Sequence, residues 1–164
     1  VSVSYGGVTV AAGGITIGRA LTERPDLFAG VIAMVPGVNM LRSEFEPNGP
    51  LNIPEFGTIA TEEGFRNLLE MDTIQHLGAG VQYPAVLITT GLNDPRVAPW
   101  ETAKFAAALQ ATGSARPALL RIDADAGHGM DSTKSQDDAL YADMWAFVFW
   151  RAGLAKWQPR FTSH

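Results

Sequence analysis

Residues 84–97 read PAVLITTGLNDPRV, and residues 117–130 read PALLRIDADAGHGM. Each stretch begins with a proline and a short apolar run, which is typical of a buried strand in a parallel sheet. Asp94 follows the first run, and His128 follows the second run between two glycines. Because parallel strands end at the same edge of a sheet, we expect the carboxylate and the imidazole to meet there. The spacing predicts a hydrogen-bonded acid–base pair.

Each of these residues also has a plainer interpretation. Asn-Asp-Pro is common in turns, so Asp94 could be a turn residue only, and His128 could be a loop histidine without a role. Arg96 could belong to a surface ion pair. A catalytic imidazole needs an acid on one nitrogen and open space at the other. The glycines beside His128 and the acid after the preceding strand favour that interpretation.

The composition excludes several classes of protein. The chain has 164 residues, a net charge of −5 and no cysteine. This length supports one compact core, and the acidic balance argues against nucleic-acid binding. Without cysteine, the chain has no disulfide framework, no thiol nucleophile and no cysteine-type zinc site. The apolar runs are too short to span a bilayer. The first residues do not form a secretory signal, so the localisation stays undetermined, with the cytoplasm as the default.

The rest of the chain alternates between strand patterns and helix patterns. Residues 28–36 are predicted to form another buried strand, and residues 37–60, rich in Gly, Pro and Asn, to have little regular structure. Helices are predicted over residues 16–23, over residues 62–77, between Pro99 and Gly113, and from Ser135, where Ser135 and Asp138 would form a capping box. The alternation predicts an α/β fold with a mostly parallel sheet and helices on both faces.

Three pieces of sequence, in this order, resemble the C-terminal catalytic domain of the prolyl oligopeptidase family. They are residues 24–28 (RPDLF), residues 93–97 (NDPRV) and residues 126–129 (AGHG). The resemblance implies a partial α/β-hydrolase fold, hydrolysis of peptide or ester bonds, and neither a metal nor an organic cofactor. It makes Asp94 the acid and His128 the base of a Ser–Asp–His triad. It also implies that Arg96 contacts a carbonyl oxygen of the substrate.

The nucleophile departs from the family's pattern Gly-x-Ser-x-Gly-Gly. Counting back from RPDLF gives TVAAGG at residues 9–14, with Ala11 where the family has serine. A second register at residues 3–7 (VSYGG) offers Ser4, but it lies seven residues too early. This second register also puts two glycines inside a helix, at about 1 kcal/mol each relative to alanine. Helix energetics favours the register of Ala11, whereas Ser4 alone has a hydroxyl that can attack.

Two functions of different classes follow from these registers. The first is a carboxylesterase-like hydrolase, or a peptidase of residual activity, with a small ester or peptide as the substrate. In this hypothesis Ser4 is the nucleophile, and backbone N–H groups of Tyr5 or Ala12 stabilise the oxyanion. The second is a catalytically inactive fragment without a nucleophile, which folds and associates only.

The resemblance also implies that residues 1–164 are one truncated hydrolase domain, because the family's β-propeller and first sheet strands have no counterpart here. A sheet that begins at the nucleophile strand exposes an edge without charged residues, and such edges pair with other chains. We therefore predict a homodimer or a larger oligomer. We predict neither nucleic acid nor a membrane as a partner.

Overall fold

Four parallel strands form one sheet in the computed structural model, which describes residues 5–129 and 132–158. The strands, which also stand in this order across the sheet, are β1 (Tyr5–Val10), β2 (Phe28–Met34), β3 (Ala85–Gly91) and β4 (Ala118–Asp123). The α-helices are α1 (Gly13–Glu23), α2 (Gly49–Phe56), α3 (Glu62–Met71), α4 (Pro99–Ala111) and α5 (Lys134–Arg151). Short 3-10 helices cover Pro25–Leu27, Met40–Phe45, Ile74–His76 and Ala155–Trp157. In the described residues, no helix is both long enough and apolar enough to cross a bilayer.

The sheet has a hydrophobic core on each face. Every residue of β3 is buried, which explains why its sequence is a continuous apolar run and does not alternate. The smaller core lies under α5, where Phe147 packs against Ile32 and Leu87. The larger core joins the sheet to α1 and α4 and consists of Leu21, Val31, Val38, Tyr83, Val86, Ile88, Phe105, Ala106 and Leu109.

The start of α5 differs from the prediction. Thr133, and not Ser135, is the N-cap residue: its hydroxyl accepts the N–H of Gln136, and the Gln136 side chain accepts the N–H of Thr133 at 2.7 Å. Asp138 instead accepts the Lys134 ammonium group at 2.8 Å. The sequence contains two overlapping candidates for a capping box, and the reciprocal bonds form at the earlier one.

Residues 37–60 are more regular than predicted, because a 3-10 helix and α2 occupy much of this segment. The Glu44 carboxylate closes the segment by accepting the Thr58 hydroxyl at 2.7 Å and the Ile59 N–H at 3.0 Å. The helix predicted over residues 62–77 ends at Met71. The Asp72 side chain then accepts the N–H of Gln75, in the following 3-10 helix, at 3.1 Å.

The first strand forms an open edge of the described sheet. Within the described residues, β1 pairs with β2 alone, and Val8 and Val10 are 63% and 52% exposed. The predicted exposed edge is therefore present in this part of the chain. Association between copies of the chain stays a prediction.

Candidate active site

The predicted acid and base meet at the carboxyl edge of the sheet. Strands β3 and β4 end side by side, with Gly91 opposite Asp123, and each strand continues into a loop that carries one of the two residues. The Nδ1 atom of His128 lies 2.7 Å from Oδ2 of Asp94. The Asp94 side chain is fully buried, and the His128 side chain is 9% exposed. The predicted hydrogen bond is confirmed.

Backbone groups hold the Asp94 carboxylate in place. Its Oδ1 atom accepts the N–H groups of Arg96 at 2.8 Å and Val97 at 2.9 Å, which leaves Oδ2 for the imidazole. The loop of the acid is also bonded to the loop of the base, because the N–H of Asn93 donates to the Ala126 carbonyl at 3.1 Å. An ionised carboxylate can only accept a hydrogen bond, so we expect Nδ1 of His128 to carry the proton and Nε2 to be the basic atom.

A sharp strand–turn–helix connection brings Ala11 to the same edge. Strand β1 ends at Val10, α1 begins at Gly13, and Ala11 between them has a φ of 50°. A non-glycine residue rarely adopts this left-handed conformation. The Ala11 carbonyl fixes it by accepting the N–H groups of Gly14 at 2.8 Å and Gly37 at 3.0 Å. This is the geometry of a nucleophile elbow, with a methyl group where a hydroxyl would stand.

The other predicted site residues lie in different places. Ser4 lies outside the described residues. Tyr5 begins β1, where its backbone pairs with Phe28. Its backbone therefore lies at the amino end of the strand, whereas His128 lies beyond the carboxyl ends of the strands. The structure does not bring Tyr5 together with the imidazole. Ala12 is the N-cap residue of α1 and therefore lies directly beside the Ala11 turn.

Two cavities open beside the acid–base pair, and both are lined by Ala11, Arg96 and His128. The larger cavity, of about 400 Å³, lies toward α5, and we call it the apolar cavity because Val10, Met34, Leu140 and Tyr141 line much of it. The smaller cavity, of about 220 Å³, lies toward α2. We call it the polar cavity, and its lining includes Ala12, Ser43, Glu46, Asn48, Asn52, Glu55 and Glu101.

No group of three or more His, Asp or Glu side chains in the described part of the chain is arranged as metal ligands would be. The groups that the site does bring together are a carboxylate, an imidazole, a guanidinium group and the N-terminus of α1. A helix N-terminus presents unpaired N–H groups and a partial positive charge, which suit an anionic oxygen.

Sequence reasoning missed two buried carboxyl groups of the polar cavity. Glu101 is 2% exposed, and its Oε1 atom accepts the N–H groups of Val38 at 2.6 Å and Asn39 at 2.7 Å. Glu46 is 6% exposed, and its Oε2 atom accepts the N–H of Ala98 at 3.2 Å. An acid in the first turn of a helix is ordinarily explained by the helix dipole. Nothing in the local sequence pairs Glu101 with Glu46.

Glu46 is a neutral acid near neutral pH. Burial, followed by the hydrogen bond and the negative charge of Glu101, raises the pKa of Glu46 to about 9. The Asp94 charge acts in the same direction, whereas the N–H of Ala98 opposes the shift. Two carboxyl groups that face each other in a buried site commonly share one proton for this reason.

Gly91 is required for the loop of the base to pass close to the end of β3. A Cβ atom at residue 91 would collide with the backbone carbonyl groups of Ala126 and Gly127. We expect Gly91→Ala to move this loop, to lengthen the contact between Asp94 and His128, and to lower the free energy of unfolding by about 1–3 kcal/mol. Urea unfolding measures the loss.

The matched control for this substitution is Gly6→Ala, since a Cβ atom at residue 6 meets no atom within 4 Å. This variant should stay within about 0.5 kcal/mol of the parent. Equal free energies of unfolding for Gly91→Ala and the parent chain would contradict the close approach.

Comparisons with known proteins show which family the chain matches. A family model described as "Prolyl oligopeptidase family" matches residues 3–154. The chain is 33% identical over 144 residues to a prolyl endopeptidase of Elizabethkingia meningoseptica. The aligned region covers 87% of this chain and 20% of that protein. It is 30% identical over 148 residues to dipeptidyl aminopeptidase BI of Pseudoxanthomonas mexicana. This aligned region covers 88% of this chain and 20% of that protein.

Solved structures of similarly named peptidases match the fold of this chain. The fold matches a structure from a study of two prolyl endopeptidases with a TM-score of 0.84 and 35% identity, over 88% of this chain and 21% of that one. It matches oligopeptidase B of Leishmania major with a TM-score of 0.83 and 29% identity, over 89% of this chain and 21% of that one. The chain thus spans about a fifth of the length of the relatives that it matches.

Proposed function

Because this chain belongs to the prolyl oligopeptidase family and has the α/β-hydrolase fold of its solved relatives, we propose that it carries a serine-hydrolase site for peptide or ester acyl groups. Asp94 is the acid of this site and His128 is the base. The observation that carries the proposal is the 2.7 Å contact between these side chains, at the edge of the sheet where Ala11 forms the elbow. The relatives are peptidases by name.

The site residues have distinct roles in such a reaction. Nε2 of His128 takes the proton of the attacking hydroxyl, while Asp94 holds the imidazole in its Nδ1–H tautomer and stabilises the imidazolium ion. His128 then gives the proton to the leaving alcohol or amine. The N–H of Ala12, at the N-terminus of α1, would donate to the oxyanion. Arg96, which lines both cavities, would hold a carbonyl oxygen of the substrate.

Small esters are the substrates that we propose for this chain. An activated ester needs little binding surface, because its acyl carbon reacts readily and its leaving group requires little assistance. The two cavities, of about 400 and 220 Å³, suit short acyl and alcohol groups on either side of Ala11. Peptide hydrolysis is the activity that the relatives' names support, and we expect it to be the slower reaction here.

Because alanine has no hydroxyl, the attacking group must come from elsewhere than the Ala11 side chain. Our prediction is that Ser4 supplies it, and since Tyr5 lies at the amino end of β1, away from His128, this Ser4 would be that of a neighbouring copy. Ser132 is the alternative hydroxyl, because it lines the apolar cavity together with His128. A water molecule activated directly by His128 would be a slower route.

Two serine substitutions decide between these sources. Ser4→Ala should abolish hydrolysis of a short p-nitrophenyl ester, whereas Ser132→Ala should leave the rate nearly unchanged. Full activity of Ser4→Ala would reject Ser4 as the nucleophile. If His128→Ala were then inactive, the attacking group would be water activated by the imidazole.

A second candidate function is binding of acyl groups without cleavage. The observation that favours it is Ala11, which stands at the elbow with a φ of 50° and has no hydroxyl. In this case the chain would hold a peptide or ester in the two cavities and release it unchanged. It predicts saturable binding of a short peptide by calorimetry, together with ester hydrolysis no faster than that of His128→Ala.

A further inference from the structure

Three segments around the acid–base pair are joined through two buried carboxyl groups. Glu101, in the first turn of α4, accepts the N–H groups of Val38 and Asn39 in the loop after β2. Glu46, directly after the 3-10 helix Met40–Phe45, accepts the N–H of Ala98. The loop after β2, the segment that ends at Glu46 and the turn of Asp94 therefore meet at one point.

Glu46 and Asp94 both accept hydrogen bonds from the backbone of the same turn. Within residues 94–98, the N–H groups of Arg96 and Val97 donate to Asp94, and the next one, of Ala98, donates to Glu46. Asp94 uses its other oxygen for His128. A shift of the Ala98 amide would move the backbone that orients the Asp94 carboxylate.

The proton on Glu46 completes this arrangement. The Oε1 atom of Glu46 is buried, and the described residues offer it no donor. The hydrogen bond between the Glu46 and Glu101 side chains requires a proton on one of them, because two carboxylates would repel each other without water to screen them. The charged and titratable groups around Glu46 are Glu101 on α4, Asp94 on the turn, and Glu55, Arg96 and His128 around the polar cavity.

We propose that Glu46 is a positioning residue for the acid–base pair. As a neutral acid it donates to Glu101 and accepts from Ala98, and so it joins the loop after β2 to the turn that carries Asp94. Without this link, the turn opens more often and the contact between Asp94 and His128 is made for less of the time. The proposal rests on the proposed function only where it takes His128 as the base.

The test observes the low-field proton on Nδ1 of His128 by NMR in the full chain. Glu46→Leu, which keeps the volume but can neither donate nor accept, should speed exchange of this proton with solvent by about tenfold. Glu46→Gln should retain the slow exchange of the parent, since its amide donates to Glu101 and its carbonyl oxygen accepts from Ala98.

Asp72→Leu is the matched control. Asp72 is a fully buried carboxyl group that accepts the N–H of Leu41 at 2.9 Å and of Gln75 at 3.1 Å, and neither partner belongs to the turn of Asp94. This variant should lose stability while the exchange rate of the His128 proton stays unchanged. Equal exchange rates in Glu46→Leu and the parent would overturn the proposal.

A titration of the unmodified chain keeps the proposal testable if Glu46→Leu does not fold. The His128 ring signals should move as Glu46 ionises, with a midpoint near its pKa of about 9, and should not move in this range in Glu46→Gln. Identical titrations of the two proteins would overturn the proposal. Neither readout uses hydrolysis, so an inactive protein with the expected exchange pattern would refute the proposed function and leave the positioning role intact.

Discussion

Replacing Ala11 by serine should raise ester hydrolysis by about a hundredfold or more. Residue 11 stands at the elbow and lines both cavities together with His128. Since alanine already adopts the required φ of 50°, serine should fit this turn without added backbone strain. The measurement is kcat/KM for a p-nitrophenyl ester, together with covalent labelling of residue 11 by a fluorophosphonate.

Two kinds of control accompany this variant. Ala126→Ser places a new hydroxyl in the apolar cavity that His128 also lines, but away from the elbow, and it should give no gain. Adding His128→Ala or Asp94→Asn to Ala11→Ser should remove most of the gain, because the base or its tautomer is lost. A folded Ala11→Ser variant that neither gains activity nor is labelled would contradict the elbow geometry.

Glu46→Gln should stabilise the chain, and the gain should grow with pH. The pKa of Glu46 is about 9 in the folded chain, against an ordinary value of 4.5. Between these values the folded state binds a proton that the unfolded state has released, so stability falls as pH rises. The stability linked to this proton is fully present below about pH 4.5 and is lost as pH rises to about 9. Glutamine is neutral in both the folded and the unfolded state, so Glu46→Gln does not lose this stability as pH rises.

Urea unfolding at pH 5.5, 7.0 and 8.5 measures this difference. The free energy of unfolding of Glu46→Gln should exceed that of the parent by an amount that grows by on the order of 1 kcal/mol per pH unit. Glu55→Gln makes the same change of charge at an exposed residue of the polar cavity and should show no such trend. A difference between Glu46→Gln and the parent that is flat or shrinks with pH would refute the neutral acid.

The acid–base pair could be predicted because local rules determine it. Asp94 and His128 each follow a strand, and in a parallel sheet two neighbouring strands bring such residues to one edge. The buried strand β3 was equally accessible to prediction, since burial on both faces requires a continuous apolar run. These features depend on the order of residues along the chain and on few long-range contacts.

Other features depend on contacts that the local sequence does not encode. Residues 37–60 contain glycine and proline at the frequency of a loop, yet Glu44 closes them onto Thr58 and α2 forms between these residues. The pair of Glu46 and Glu101 joins residues that are far apart in the chain. The capping box was misplaced because the sequence offers two overlapping candidates, and Thr133 makes the reciprocal bonds.

The position of the elbow could be predicted only in part from the sequence. The sequence left two registers open, with Ala11 favoured by helix energetics and Ser4 by its hydroxyl. The structure places the left-handed turn at Ala11 and begins α1 at Gly13. The structure therefore brings Asp94, His128 and the left-handed turn at Ala11 to one region, as the proposed serine-hydrolase site requires, with alanine at the elbow. Ser4 stays a prediction, since it lies outside the described residues.

The protonation of the His128 ring tests the central claim most directly. If Asp94 orients His128 as the base, NMR of the imidazole nitrogens above the titration of the ring should show one tautomer, with the proton on Nδ1 and the lone pair on Nε2. In Asp94→Asn this preference should be lost, because an amide N–H can donate to Nδ1. A parent chain whose His128 carries its proton on Nε2 would contradict the account.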